Sequence, residues 1–151
     1  MTEPRWLTAD EQRAWRAWVD STVLLLDRLN RDLQETNGLT MADYEILVRL
    51  SESPDRRMRM SELASKTLSS RSRLSHQIDR MVTRELVDRE KCENDKRGAF
   101  AVLTDEGWRT LVAAAPDHVA SVRRHLVDVL TPEQFAQLGN ALGIVADRLG
   151  E

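Results

Sequence analysis

Hydrogen-bonding side chains recur at helical spacing in the middle of the chain. The stretch from about Ser70 to Leu86 has helical periodicity, and the apolar residues Leu74 and Met81 fall within about 60° of Ile78. The opposite face carries no carboxylate, because Asp79 lies to the side. Arginine, glutamine and serine read base edges and hold phosphates, and a recognition helix uses its N-terminal part for bases. A solvated polar face is the alternative, but the absence of acids favours DNA reading. The predicted DNA contacts from this helix are Ser70, Ser72, Arg73, His76, Gln77 and Arg80.

A shorter helix is predicted just before this one. Ser61 is expected to cap a helix over Glu62 to Thr67, and Leu68-Ser69 is expected to make the turn. Arg59-Met60 is expected to form a short strand. A short helix, a tight turn and a longer helix are the pattern of a helix-turn-helix motif. Its predicted core is Leu63, Ala64, Leu74, Ile78 and Met81.

Two short apolar runs after the long helix predict a β-hairpin, or wing. The first strand is expected at Val87 to Lys91, and a second apolar run lies within Phe100 to Leu103. The loop between them is polar, with Asp95, Lys96 and Arg97 at its tip. We expect Lys96 and Arg97 to contact DNA, with Arg97 in the minor groove and Asp95 orienting its guanidinium. A hairpin tip without a ligand is the alternative.

The N-terminal third predicts two helices. Thr8 is expected to cap a long helix over Ala9 to Thr36, with Glu11 completing a capping box. Asn37-Gly38 ends this helix, since glycine adopts the left-handed conformation without steric cost. A second, shorter helix is predicted from Thr40 to Ser51.

The C-terminal third is also predicted to be helical. Thr104 is expected to cap a helix that Pro116 kinks or splits near Ala115, because proline lacks a backbone N–H. Thr131 starts a further helix, with proline next and a capping-box glutamine at Gln134. Its apolar residues have the a/d spacing of a coiled-coil seam: Phe135, Leu138, Leu142, Val145 and Leu149.

The long striped helices at both ends favour association of two chains. A monomeric helical core is the alternative, but such helices are hard to bury within a domain of this size. Packing against a second copy would bury the excess apolar surface in a two-fold interface. We therefore predict one domain over 1–151, mainly α-helical with a small β-hairpin. Within it, dimerisation helices are expected at 8–36 and 104–150, and a winged helix-turn-helix DNA-binding region at 40–103.

With these motifs in this order, the chain resembles the MarR family of winged-helix transcriptional regulators. The resemblance rests on SELA before the turn, SRLSHQIDRM in the long helix, Asp95-x-Arg97 in the hairpin and LTDEG after it. It implies a homodimer on a pseudo-palindromic double-stranded operator, usually a repressor, often released by a small aromatic or phenolic ligand. It also implies that the wing arginine contacts the minor groove and that the aspartate orients it. One departure is Arg84-Glu85-Leu86, where the family usually has a glycine.

The net charge conceals an uneven distribution. The whole chain has 25 acidic and 22 basic residues, a formal net charge of -3, which taken alone argues against nucleic-acid binding. Residues 56–101 contain twelve basic and seven acidic residues, a net +5, and the remainder is -8. This basic segment lies within the predicted DNA-binding region at 40–103. A single cysteine, no signal peptide and no apolar run long enough to cross a membrane predict a cytoplasmic location.

We expect no redox or metal-binding role for the cysteine and two of the histidines. Cys92 has no second cysteine to pair with and is expected to be passive. His118 and His125 share a helix face but lack further metal ligands, so both are expected to be solvated. The candidate residues for contact with an aromatic effector are Trp15, Trp18 and Tyr44, although packing is the default role of both tryptophans.

No arrangement typical of an enzyme is found in the sequence. It lacks a nucleophile paired with a base, a phosphate-binding glycine loop and a metal-ligand cluster, so neither catalysis nor a cofactor is expected. The alternative function is a helical interaction module, such as an adaptor or antitoxin. That alternative leaves the carboxylate-free helix face and the Asp95-x-Arg97 hairpin unexplained.

Overall fold

The computed structural model describes residues 3–93 and 98–150 and confirms a mainly helical fold with a small antiparallel sheet. Within these residues every helix is too short or too polar to span a lipid bilayer. Short 3-10 turns cover Pro54–Arg56 and Val127–Val129. The helices are α1 Ala9–Asn37, α2 Met41–Ser51, α3 Met60–Lys66, α4 Arg71–Thr83, α5 Asp105–His125 and α6 Pro132–Leu149, and the strands are β1 Arg57–Arg59, β2 Val87–Lys91 and β3 Ala99–Leu103.

The chain forms two compact units. The reader unit is Asn30–Val119, and the terminal unit comprises the residues up to Leu29 and those from Ala120 onward. The reader unit contains α2 to α4 and the whole sheet. The organisation predicted from sequence, a single domain with dimerisation helices at its two ends, stays a prediction.

The sheet confirms the predicted hairpin, and the short strand expected before α3 joins it as the third strand. β2 pairs antiparallel with β3, from Val87 opposite Leu103 to Lys91 opposite Ala99. β1 pairs with the other edge of β3, so the strand order is β1-β3-β2. The strand expected at Arg59-Met60 begins two residues earlier, at Arg57, and ends at Arg59, because Met60 already belongs to α3.

A continuous apolar core holds the reader unit together. The predicted helix-turn-helix core is confirmed, because Leu63, Leu74, Ile78 and Met81 are almost fully buried and Ala64 lies beside them. Buried residues of the sheet, including Val87 and Leu103, belong to the same core. Each large apolar side chain removed from water in this way contributes about 1.5–3 kcal/mol. Because this core covers one face of α4, the opposite face is left to solvent.

Two helix starts predicted from sequence are confirmed as reciprocal capping boxes. The Glu11 N–H donates to the Thr8 hydroxyl at 3.2 Å, and the Thr8 N–H donates to the Glu11 carboxylate at 2.8 Å. The equivalent pair, Thr131 and Gln134, starts α6. A predicted cap at Ser61 is wrong, because α3 begins one residue before it at Met60. The pairing of β1 with β3 ends at Arg59, and the chain turns into α3 directly from the strand.

The end of α4 departs from the sequence expectation. The helix ends at Thr83, not at Leu86, because Glu85 adopts a left-handed conformation with φ 61°. The Leu86 N–H donates to the Met81 carbonyl at 3.0 Å, and the Glu85 N–H donates to the Val82 carbonyl at 2.9 Å. This is the Schellman hydrogen-bond pattern that usually has glycine at the left-handed position. The corner is therefore turned without glycine, at a backbone cost of about 1–2 kcal/mol.

Pro116 lies inside α5 without splitting it. The helix is continuous from Asp105 to His125, so the split expected near Ala115 does not occur. Proline removes only one intrahelical hydrogen bond, to the Val112 carbonyl. Leu111 and Ala114, in the turn before it, are buried in the reader core and stabilise the helix across the missing bond.

Gly107, the glycine of the LTDEG motif, lies where no side chain fits. A Cβ atom at this position would be 2.1 Å from the Leu86 carbonyl oxygen and 2.7 Å from Leu103 Cδ1. The Gly107 N–H also donates to the Thr104 hydroxyl at 2.9 Å, which caps α5. The glycine therefore lets the start of α5 approach the corner after α4.

We expect Gly107→Ala to lower the free energy of unfolding by about 3 kcal/mol, because the clash is with backbone that cannot move freely. Gly143→Ala is the matched control, since nothing lies within 4 Å of a Cβ added there. It should stabilise α6 slightly, by about 0.5–1 kcal/mol. Urea denaturation of both variants measures the difference, and equal stabilities would contradict the close approach.

Candidate nucleic-acid interface

The outward face of α4 presents the hydrogen-bonding side chains predicted to contact DNA. Ser72, Arg73, His76 and Arg80 are all exposed, and the first turn of the helix holds no acidic residue. The Ser70 hydroxyl accepts the Arg73 N–H at 3.2 Å, so Ser70 caps the helix. The positive end of the helix dipole adds to the charge of Arg73 at this end. The arrangement suits contact with phosphates and with the acceptors on base edges.

Gln77 is held inside the protein more firmly than the sequence indicates. It is half-buried, and its Nε2 donates to Asp43 Oδ1 at 2.6 Å. Its Oε1 accepts a hydrogen bond from Arg80 Nη2 at 3.2 Å. One amide hydrogen and one oxygen lone pair of Gln77 are therefore engaged within the protein. Its predicted direct contact with DNA stays a prediction.

Arg84, directly after α4, also contacts Asp43. Its Nη1 lies 3.4 Å from Asp43 Oδ2, and its Nη2 donates to the Gly38 carbonyl at 3.0 Å. Gly38 has φ 67° and ends α1 as predicted, which brings this carbonyl to Arg84. Asp43 is a residue that sequence reasoning missed. Its spacing from Thr40 indicates a helix cap, but nothing in the sequence places α4 beside it.

A basic groove lies between the start of α4 and the sheet. It has a volume of 410 Å³, and its lining includes Arg59, Arg71 and Arg89. Arg89 Nη2 donates to the Ser75 carbonyl and hydroxyl and pairs with Asp79 at 3.1 Å, which ties β2 to α4. Arg59 and Arg71 are exposed, and the sequence gives only their contribution to the +5 segment as a signal. The groove extends the positive surface from α4 toward the hairpin.

The predicted wing contacts lie outside the described residues. These contacts are Asp95, Lys96 and Arg97. At the base of the hairpin, the Cys92 N–H donates to the Gly98 carbonyl at 3.0 Å, beyond the last pair of β2 and β3. The Cys92 side chain is buried, which supports its predicted passive role.

The aromatic residues proposed for an effector lie in different units. Trp15 and Trp18 belong to the terminal unit and are 54% and 41% exposed. Tyr44 belongs to the reader unit, is half-buried, and packs against the apolar core. Its ring lies 4.4 Å from the ring of His118, measured between centroids. Burial raises the pKa of the Tyr44 hydroxyl above its ordinary value.

His118 corrects one expectation from the sequence. It was predicted to be solvated, but it is half-buried against Tyr44 on α2. Burial lowers the pKa of its imidazole below the ordinary value, because desolvation penalises the charged form. Its Nδ1 is buried without a hydrogen-bond partner among the described residues. A helix periodicity alone cannot reveal that α2 covers this position.

The lowered pKa of His118 gives stability a defined pH dependence. In the unfolded chain this histidine takes up a proton near its ordinary pKa of about 6.5, before the folded protein does. Its contribution to stability is therefore complete above pH ~6.5 and is lost as pH falls through the window between the two pKa values. We expect the fall in melting temperature from pH 7.5 to 5 to be smaller in His118→Phe than in the wild type.

The matched control for this prediction is His76→Phe, which removes an imidazole from an exposed position on α4. Its melting temperature should follow that of the wild type across the same pH range. A wild-type pH profile that His118→Phe leaves unchanged would contradict the packed, neutral imidazole.

Comparison with known proteins agrees with this architecture. Residues 39–98 match the family model described as MarR family. The chain is 56% identical to AbsC, a MarR family transcriptional regulator from Streptomyces coelicolor, over 97% of this chain and 98% of that one, with a TM-score of 0.90. It is 50% identical to Sco3205 of the same organism, a MarR family regulator solved in complex with DNA, over 97% and 92% of the two chains, with a TM-score of 0.92.

More distant similarity points the same way. The chain is 25% identical to the transcriptional regulator MhqR of Bacillus subtilis over 108 aligned residues. The aligned region covers 72% of each protein. These relatives are transcriptional regulators, and the prediction that the chain is not an enzyme is confirmed by them. The similarity to AbsC and Sco3205 over nearly the full length, together with the winged helix-turn-helix of the reader unit, shows that the chain belongs to the MarR family of transcriptional regulators.

Proposed function

We propose that the protein is a sequence-specific repressor that binds a pseudo-palindromic double-stranded DNA operator as a homodimer. The observation that carries this proposal is the exposed, carboxylate-free face of α4. In each protomer, α4 enters the major groove and Ser72, Arg73, His76 and Arg80 face the bases and phosphates. We place the protein in the cytoplasm, where it acts on DNA.

The distribution of charge supports this orientation on DNA. Residues 56–101 carry a net +5, whereas the rest of the chain carries -8. The basic groove with Arg59 and Arg71 lies beside the start of α4 and can follow a phosphate backbone. Acidic surfaces elsewhere oppose unselective binding through other faces. A relative at 50% identity has been solved in complex with DNA, which is consistent with the same partner here.

Exposed apolar residues of the terminal unit support the homodimer. The helix α6 has no buried residue in the single chain, and Val145 and Leu149 on its seam are 52% and 81% exposed. Leu26 on the stripe of α1 is also exposed. Exposed apolar stripes of this kind usually mark a surface that contacts another protein. A second copy of the chain, related by a two-fold axis, would cover them and match the symmetry of the operator.

We also propose that a small aromatic effector binds the protein and releases it from DNA. The candidate contacts remain Trp15, Trp18 and Tyr44, since two exposed indoles and a half-buried phenol offer apolar area on which an aromatic ring can pack. Titration with simple aromatic acids, followed by tryptophan fluorescence and by release of bound DNA, tests this part. No fluorescence change would restrict the aromatics to packing, and fluorescence changes without DNA release would contradict a ligand that releases the operator.

The wing is proposed to insert Arg97 into the minor groove. We expect Arg97→Ala to weaken operator binding. The magnitude of the slope of log affinity against log salt should fall by about the amount that one phosphate contact contributes, or less. Fluorescence anisotropy at several salt concentrations measures both quantities. Unchanged operator affinity in this variant would contradict the wing contact.

The proposed function is tested by anisotropy titrations with promoter DNA of its own and neighbouring genes. We expect nanomolar to micromolar binding that weakens with salt and that exceeds binding to shuffled DNA of the same composition. Equal binding to promoter and shuffled DNA, or no binding, would contradict a sequence-specific regulator. The helical interaction module would then be the better explanation.

A further inference from the structure

Asp43 is a buried carboxylate with more partners than helix capping requires. The residue is 6% exposed and belongs to the capping box of α2. Its Oδ2 accepts the Thr40 N–H at 3.1 Å, while its own N–H donates to the Thr40 hydroxyl at 3.0 Å. Capping leaves Oδ1 available, and this oxygen accepts the Gln77 amide from α4 at 2.6 Å. One carboxylate therefore joins the start of α2 to the middle of the proposed recognition helix.

We propose that Asp43 is a positioning residue for DNA reading, which holds the guanidinium of Arg80 in a fixed direction through the side chain of Gln77. The inference rests on the proposed function, because Arg80 must face DNA for its direction to matter. Asp43 does not itself touch DNA in this arrangement. It determines how the recognition face is presented before DNA arrives.

The direction of the relay follows from the chemistry of its three groups. A carboxylate accepts hydrogen bonds only, so it selects the amide nitrogen of Gln77 and turns the amide oxygen away from itself. That oxygen accepts from Arg80 Nη2 at 3.2 Å. Because a guanidinium has only donors, it cannot bond to the nitrogen side of the amide. The carboxylate thus determines which end of Gln77 meets Arg80.

Arg84 compensates the charge that this arrangement buries. Its Nη1 lies 3.4 Å from Asp43 Oδ2, on the oxygen opposite Gln77. A buried carboxylate without a cationic partner would be costly, and Arg84 supplies that partner from the end of α4. Asp43 is therefore bonded to Gln77 on α4 and to Arg84 directly after it. Because the guanidinium of Arg80 is already held before DNA binds, it loses less conformational freedom when it contacts a base.

The test uses the full chain and four variants: Asp43→Asn, Gln77→Met, both together, and Thr40→Ala. Asparagine keeps the shape of the side chain but converts one of its two acceptor groups into a donor. Thr40→Ala removes the capping hydroxyl and leaves the carboxylate, so it is the control for loss of the cap. Each variant is titrated with an operator and with all of its single-base variants, and its melting temperature is measured.

We expect Asp43→Asn to reduce base discrimination by about 5-fold at the position read by Arg80. Gln77→Met should reduce it at the same position, and the double variant should match Gln77→Met, because Asp43 acts through Gln77. Thr40→Ala should lower the melting temperature and leave base preference unchanged. Additive effects of Asp43→Asn and Gln77→Met, or an Asp43→Asn that resembles Thr40→Ala, would overturn the proposal.

A measurement without DNA separates this inference from the proposed function. In the free protein, the Gln77 side-chain amide should exchange slowly with solvent by NMR in the wild type and Thr40→Ala, and quickly in Asp43→Asn. Equal exchange in all three proteins would overturn the relay, whether or not DNA binds. A wild type with a protected Gln77 amide but no selective DNA binding would instead contradict the proposed function.

Discussion

Arg73→Ala is expected to weaken binding to the operator by about 1–3 kcal/mol and to relax base preference at one position of each half-site. Arg73 is exposed in the first turn of α4, next to the Ser70 cap, where a recognition helix comes nearest to the bases. Its planar guanidinium can bond a guanine through O6 and N7 together, which no single alternative base offers. Anisotropy titrations with every base at each operator position measure affinity and preference separately.

Arg109→Ala is the matched control for this prediction. It removes the same charge from an exposed arginine of the reader unit, which pairs with Glu106 on α5 at 2.9 Å. We expect affinity and base preference to change little in the control. If Arg73→Ala weakens binding to all sequences equally, Arg73 contacts a phosphate and does not read a base.

Leu142→Glu is expected to convert the proposed homodimer into monomers and to reduce operator affinity by about 10²–10⁴-fold. Leu142 lies at the centre of the apolar seam of α6, and a carboxylate there would have to be buried between two chains without a partner. A monomer retains α4 but engages only one half-site, so the advantage of simultaneous contact is lost. Sedimentation equilibrium gives the mass, and anisotropy gives the affinity.

Asn140→Glu is the control for this second prediction, since it adds the same charge to an exposed position on the far side of α6. We expect it to remain dimeric and to bind as the wild type does. A Leu142→Glu protein that is still dimeric would show that this seam is not the interface, and a monomeric wild type would contradict the homodimer.

Local features of the fold could be predicted from the sequence because their causes lie within a few residues. Thr8 with Glu11 and Thr131 with Gln134 form capping boxes from side chains three positions apart. The buried stripe of α4 and the pairing of β2 with β3 follow from periodicity and a short connection. The same local patterns placed Arg73 on the exposed face.

Errors arose where distant parts of the chain decide the local structure. The start of α3 depends on the pairing of β1 with β3, so Ser61 is not its cap. Glu85 adopts a left-handed conformation at the corner where the chain passes from α4 to Leu86, which is buried in the core. His118 is covered by Tyr44 from another helix. In each case the sequence shows the residue but not its neighbour.

The candidate site also combines residues that local sequence patterns predict with a contact that only the folded structure shows. The exposed residues of α4 were identified from residue type and spacing alone. The partner of Gln77 was not, because Asp43 lies 34 positions earlier in the chain and reads as an ordinary helix cap. Only the packing of α2 against α4 brings the two side chains within 2.6 Å.

Selection from a random duplex DNA library with the purified chain tests the central claim most directly. The bound fraction is sequenced after several rounds and compared with an unselected library. We expect enrichment of a two-fold symmetric motif whose half-sites are centred about one helical turn apart, on the order of 10–10.5 base pairs, or a multiple of it. Bound DNA with the same sequence composition as the unselected library would contradict a sequence-specific, dimeric reader.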